Sequence, residues 1–100
     1  MREYRINVVV AATAKMNRDR ALDIIKERLR ENTITHLIAQ NLHLREDFDT
    51  YIKEENDIIE LVAPKLLAEI NKSSRLFGSY VVFWDKGEIL SQEEFNEHYL

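Results

Sequence analysis

Apolar and polar positions alternate along residues 2–15, "REYRINVVVAATAK". Read with period two, Tyr4, Ile6, Val8, Val10 and Ala12 form one wholly apolar face. Arg5, Asn7, Val9, Ala11 and Thr13 form the other, which turns apolar only toward its C-terminal half. That period, with β-branched residues at its centre, predicts a strand over about 3–13. Apolar side chains on both faces of the centre predict an interior place in a sheet rather than an edge. The period then changes. Asn17 is a good helix N-cap, and Leu22, Ile25 and Leu29 recur at spacings of three and four among charged neighbours, which predicts a helix over about 18–30. Within it Asp23 and Lys26, and Glu27 and Arg30, are opposite charges three apart and are expected to pair.

Residues 32–44, "NTITHLIAQNLHL", fit two patterns. Ile34, Leu37, Ile38 and Leu42 suit a helix; Ile34, Ile38, Leu42 and Leu44 share a face of an extended chain; helical spacing is the slightly better match. In residues 45–56 Phe48, Tyr51 and Ile52 make one stripe among acidic residues, which predicts an acidic amphipathic helix. Residues 57–72 continue or restart it. Ile59, Val62, Leu66 and Ile70 form the core stripe beside Ala63, and Ile58, Leu61 and Leu67 widen the arc, so this helix is expected to touch more than one surface. Pro64 removes a donor and predicts a kink or restart.

The second β signal is residues 78–90. Tyr80, Val82 and Trp84 face one way, Val81 and Phe83 the other. Strands near 79–85 and 87–90 are joined by Asp85-Lys86-Gly87, with Gly87 supplying a left-handed residue. Ser91 and Glu94 match a capping box opening a short C-terminal helix, with Phe95 and Tyr99 on one face. The order of elements predicts a single α+β domain over 1–100: a small sheet, with the first strand beside the one near 80–84, and helices packed on it. The 57–72 helix is the natural cover for one sheet face. A sheet apolar on both faces with only one evident cover predicts self-association, as a dimer.

Composition narrows the classes of function. Two Gly and one Pro in 100 residues argue for long helices and against an all-β sandwich. The absence of Cys excludes disulfides, thiol catalysis and thiolate metal sites. No apolar run is long enough to span a bilayer, and the opening lacks the layout of a secretory signal, so no membrane contact and a cytoplasmic location are expected. The net charge of −4 is uneven. Residues 1–31 carry eight Lys/Arg against five Asp/Glu, and residues 32–100 carry six against thirteen. Such a surface can present its acidic part to a basic partner. Whole-chain acidity disfavours a broad nucleic-acid interface.

Catalytic signals are lacking. Neither Gly78 nor Gly87 opens a helix, and there is no Gly-rich phosphate loop or nucleophile elbow. His36 and His43, seven apart, would share a helix face but stand too far apart for one metal ion. His98 lies near Glu93, Glu94 and Glu97 in a terminal turn, a poor place to hold catalytic geometry. Tyr80 and Trp84 could stack bases, but interleaved basic side chains are missing, so they are expected in a core or interface. No enzyme activity, cofactor or metal is expected.

Tyr4-Arg5-Ile6-Asn7-Val8, then Thr13-Ala14-Lys15-Met16, then Asp19, Ile25, Lys26, Glu27 and Leu29 resemble the opening of the small T7-like phage protein family that antagonises the nucleoid protein H-NS. The resemblance covers about the first 30 residues, with a two-residue shift before Thr13; residues 32–75 do not match. It implies a strand followed by a helix, and a phage-encoded protein that binds and inhibits a host factor. It carries over no site residue.

The expected function is therefore a small non-enzymatic binding protein, a phage-type inhibitor or modulator docking on a host protein with a basic patch. The expected contact surface is Glu46, Asp47, Asp49, Glu54, Glu55 and Asp57, extended by Glu93, Glu94 and Glu97. Three alternatives stand beside it. One is a nucleic-acid-binding regulator using Arg18, Arg20, Lys26, Arg28 and Arg30. Another is a self-associating structural or assembly component. The last is an enzyme, which would need a deep cleft with converging carboxylates and His98.

Overall fold

Two kinds of periodicity in one chain give two kinds of element. The computed structural model describes residues 3–8, 16–73 and 78–100. Its elements are β1 (Glu3–Val8), α1 (Arg18–Ala39), a 3-10 turn (Leu42–Leu44), α2 (Phe48–Lys72), β2 (Gly78–Phe83), β3 (Glu88–Ser91) and α3 (Gln92–Tyr99). The fold is α+β. The continuation of the first strand expected over residues 9–13 lies outside the described residues.

The three strands form an antiparallel sheet in the order β1-β2-β3. Tyr4 lies opposite Val82, and Ile6 opposite Tyr80, so the apolar face of β1 continues that of β2. The expected pairing of the first strand with the 80–84 strand is thus observed, but its expected interior position is not. β1 is an edge strand among the described residues, and β2 is the centre. The reason is visible in the side chains. β2 buries both faces, whereas β1 buries Tyr4 and Ile6 on one face and leaves Arg5 exposed on the other.

The main core lies between one sheet face and the two long helices. Tyr4, Ile6, Tyr80, Val82 and Trp84 meet Leu22, Ile25 and Leu29 of α1 and Ile59, Val62, Leu66 and Ile70 of α2. The opposite sheet face has its own cover. Val81 and Phe83 bury against Phe95 of α3, with Leu90 beside them. The premise behind the expected dimer, a second sheet face without a cover, therefore does not hold at β2. Phe83, Phe95 and Tyr99 stack in a short aromatic series, with ring centroids 5.1–6.2 Å apart. Arg5 lies over the Phe95 ring at 5.4 Å and donates to Gln92 Oε1 at 3.0 Å, tying the edge strand to α3.

The local signals at the hairpin and at α3 are met. Lys86 and Gly87 N–H groups both donate to the Phe83 carbonyl, and Gly87 has φ +63°. Ser91 closes the capping box: its Oγ accepts from the Glu94 N–H at 3.2 Å, and its own N–H donates to Glu94 Oε1 at 3.4 Å. Ser91→Ala is expected to lower stability by about 1 kcal/mol. A urea midpoint unchanged by that substitution would show that α3 does not depend on its cap.

Two helix expectations need correction. The first helix does not stop near residue 30. Its stripe of Leu22, Ile25 and Leu29 continues through Thr33 and Leu37, all buried, so the helical reading of residues 32–39 is the right one. Asn41, at φ 59°, then ends the helix in a left-handed turn. The expected helices over 45–56 and 57–72 are one helix, α2, which begins only at Phe48. It does not restart at Pro64. The proline removes one backbone donor, but Ile59, Val62, Leu66 and Ile70 bury a stripe on both sides of it and hold the two halves together. Among the described residues no helix is long and apolar enough to cross a membrane.

Candidate functional site

The solvent face of α2 holds three of the acidic residues singled out above. α2 is amphipathic: residues at spacings of three and four from Ile59 bury, and the opposite arc does not. Asp49, Glu54 and Asp57 lie on that outer arc and are exposed, as is Glu46 just before the helix. Leu61, one turn beyond Asp57, is 69% exposed. It was expected to widen the buried arc; Leu67 and the half-buried Ile58 do so, and Leu61 faces water instead.

Two of the six expected contact residues stand apart. Asp47 is exposed but already occupied: Arg45 Nε and Nη2 reach its two oxygens at 2.9 and 3.2 Å. That fork, through its hydrogen bond first and its charge second, raises the Arg45 pKa above its ordinary value. Arg45 also lies over the Tyr51 ring at 5.6 Å.

Glu55 is the clearer correction. It is only 8% exposed and belongs to the core side of α2, where its Oε2 accepts from the indole Nε1 of Trp84. It cannot be part of a docking surface. The signal was present in the spacing: Glu55 stands four residues before Ile59, seven before Val62 and eleven before Leu66, on the buried stripe. Its acidity concealed its position. Trp84 packs edge-on against Tyr4 at 5.0 Å, and Tyr4 against His36 at 6.1 Å, so a polar and aromatic group of four residues lies where β1, α1, α2 and the hairpin meet.

The expected extension through Glu93, Glu94 and Glu97 does not join this surface. Those residues are on α3, across the sheet from the main body of α2. Glu94 is committed to the capping box. α3 approaches only the C-terminal turn of α2, where Glu69, Lys72, Ser91, Glu93 and Glu94 help line a cleft of about 260 Å³. Within that cleft Lys72 donates to Glu69 at 3.1 Å. His98 does not line it.

The basic residues of α1 are likewise dispersed. Lys26 pairs with Glu60 of α2 at 2.8 Å rather than with Asp23, fastening the two helices together. Arg30 meets Glu27 at 3.5 Å, as expected. Arg18, Arg20 and Arg28 are exposed, but at 100° per residue they point in three different directions. A groove of clustered basic side chains for phosphates is not formed by these five residues. Tyr80 and Trp84 are buried in the core, which removes them as a base-stacking platform.

His36 and His43 do not share a helix face, because the left-handed residue Asn41 separates them. Among the described residues no three His, Asp or Glu side chains come together in a way that could hold a metal ion. Neither a family model, nor a curated protein, nor a solved structure matches the chain.

Proposed function

We propose that this chain is a non-enzymatic binding module that docks on a protein partner with a basic surface through the outer face of α2. The observation that carries the reading is Leu61, a large apolar side chain held in water on the same arc as Asp49, Glu54 and Asp57. Leu61 stands at one end of an arc with an acidic excess, which also carries the exposed Lys53 and Lys65; the excess charge steers the approach and the leucine contributes desolvation. The contact set is Glu46, Asp49, Glu54 and Asp57 with Leu61 at its C-terminal end, without the buried Glu55 and the paired Asp47. The resemblance of the opening residues to the phage family points to a bacterial host factor as the partner and to inhibition as the outcome.

The experiment is a tagged pull-down from bacterial lysate with and without nuclease, followed by titration of the recovered partner. The expected result is one stoichiometric protein that survives nuclease and binds more weakly as salt rises. Reversal of Glu54 and Asp57 to lysine is expected to weaken binding about tenfold, chiefly through slower association. Affinity indifferent to salt and to both reversals would remove the acidic face from consideration. Partners lost on nuclease treatment would favour the nucleic-acid reading.

A further inference from the structure

β1 pairs with β2 along one edge, and its other edge has no strand beside it among the described residues. Such an edge presents a row of backbone N–H and C=O groups with which an added strand can pair. Sheet edges are commonly blunted by shortness, a bulge or a proline. β1 shows none of these: its register with β2 runs unbroken over six residues, and no proline lies within it. The far edge of the sheet differs, since β3 has four residues and leads directly into α3.

α1 turns this edge into a groove. Glu31, Asn32, Thr35, His36 and Ala39 recur at spacings of three and four along the helix and, with Tyr4, line an open space of about 440 Å³. Thr35 stands nine residues from Lys26, on the opposite side of the helix, and Lys26 reaches Glu60 of α2. The groove therefore runs along the flank of α1 turned away from α2. Its lining is mostly polar, which suits a chain held by its backbone better than an apolar small molecule. Two exposed carboxylates set the charge of the occupant: Glu31 on the helix side, and Glu3 on the sheet face away from α1. Arg5, the basic residue of β1, is held by Gln92 and Phe95 of α3, and Arg28 does not line the groove. A second copy of this chain fits poorly. Two β1 strands paired edge to edge lie about 4.8 Å apart, whereas packed helices need about 8–10 Å between their axes. Each α1 packs over its own β1, with the His36 ring 6.1 Å from that of Tyr4, so the two helices would collide. A single extended strand passes beneath α1 without that conflict.

We propose that the outer edge of β1 and the adjoining flank of α1 bind an extended basic segment of a partner protein, which adds to the sheet as a further strand with one face toward Glu31 and the other toward Glu3. Backbone pairing holds the segment, and the two carboxylates select its charge. The site is separate from the outer face of α2 and does not rest on the partner proposed for that face.

The test is titration of a capped heptapeptide of alternating lysine and threonine into the full, ¹⁵N-labelled chain, followed through the backbone amides. The expected result is a saturable shift concentrated in β1 and residues 31–39, with a Kd on the order of 0.1–1 mM, since a flexible peptide must be ordered on binding. The same peptide with N-methylated backbone amides cannot donate to a strand edge and is expected to give no saturable shift. Glu31→Lys, at an exposed helical position, is expected to weaken binding about fivefold without changing the urea midpoint by more than a few tenths molar. Reversal of Glu54 and Asp57 to lysine, which probes the other surface, is expected to leave peptide affinity within about twofold. Shifts centred on Asp49, Glu54 and Asp57, equal binding of the N-methylated peptide, parental affinity in Glu31→Lys, or a dimer in light scattering that protects the β1 amides from exchange would each overturn the proposal.

Discussion

Leu66→Ala is expected to lower the free energy of unfolding by about 3–4 kcal/mol, while Leu61→Ala changes it by no more than about 0.5 kcal/mol. The two leucines are five residues apart on α2, Leu66 on the stripe of Ile59, Val62 and Ile70 and Leu61 off it. Leu66 is fully buried against the sheet and α1, so its truncation removes transfer free energy and leaves a cavity in a close-packed site. Leu61 faces water and has little packing to lose. In a chain of 100 residues the Leu66 change is a large part of a total of about 5–15 kcal/mol, and the thermal midpoint is expected to fall by roughly 15 °C or more. Urea denaturation followed by circular dichroism decides the matter. Equal losses for the two variants would mean that α2 is rotated from the orientation described here, and the acidic face with it.

The second large effect is expected at Glu55. Glu55→Ala withdraws an acceptor from the indole N–H of Trp84 within the core and leaves space behind, for a loss of about 2–3 kcal/mol. Glu55→Gln retains an oxygen that can accept the same hydrogen bond and is expected to cost about 1 kcal/mol. Trp84 is the only tryptophan, so its emission reports directly on the site: it should shift in the alanine variant and stay close to the parent in the glutamine variant. If Glu55→Ala were as stable as the parent, with unchanged emission, the buried assignment of Glu55 would fail and it would return to the candidate docking face.

These residues mark how far pattern alone reaches. The strand faces of β2, the hairpin with Gly87, the Ser91 capping box and the Ile59–Ile70 stripe are all legible because each depends on residues a few positions apart. The length of α1 was partly legible. Thr33 and Leu37 continue its stripe, but Thr33 is polar, and the apolar Ile34 and Ile38 beside it face outward, which blurs the period at the point where the helix continues. Glu55 was misread for the same kind of reason: residue type outweighed spacing. Of the six carboxylates expected on the contact surface, the exposure of Glu46, Asp49, Glu54 and Asp57 was legible, but the burial of Glu55 and the pairing of Asp47 with Arg45 were not.

The sequence by itself determined which stretches are strand and which are helix, the hairpin, the C-terminal cap and the main apolar stripes, though not the full span of α1 or the unity of α2, since capping and hydrophobic period act within a turn or a hairpin. Only the tertiary structure decided the rest. It placed β2 at the centre and β1 at the edge, and it laid α3 over the sheet face that β1 and β2 alone leave open. It also drew Lys26 to Glu60, 34 residues away, and Glu55 to Trp84, 29 residues away. Contacts of that span depend on how the faces of separate elements pack, and a local pattern states that a face is apolar without stating which other face will cover it.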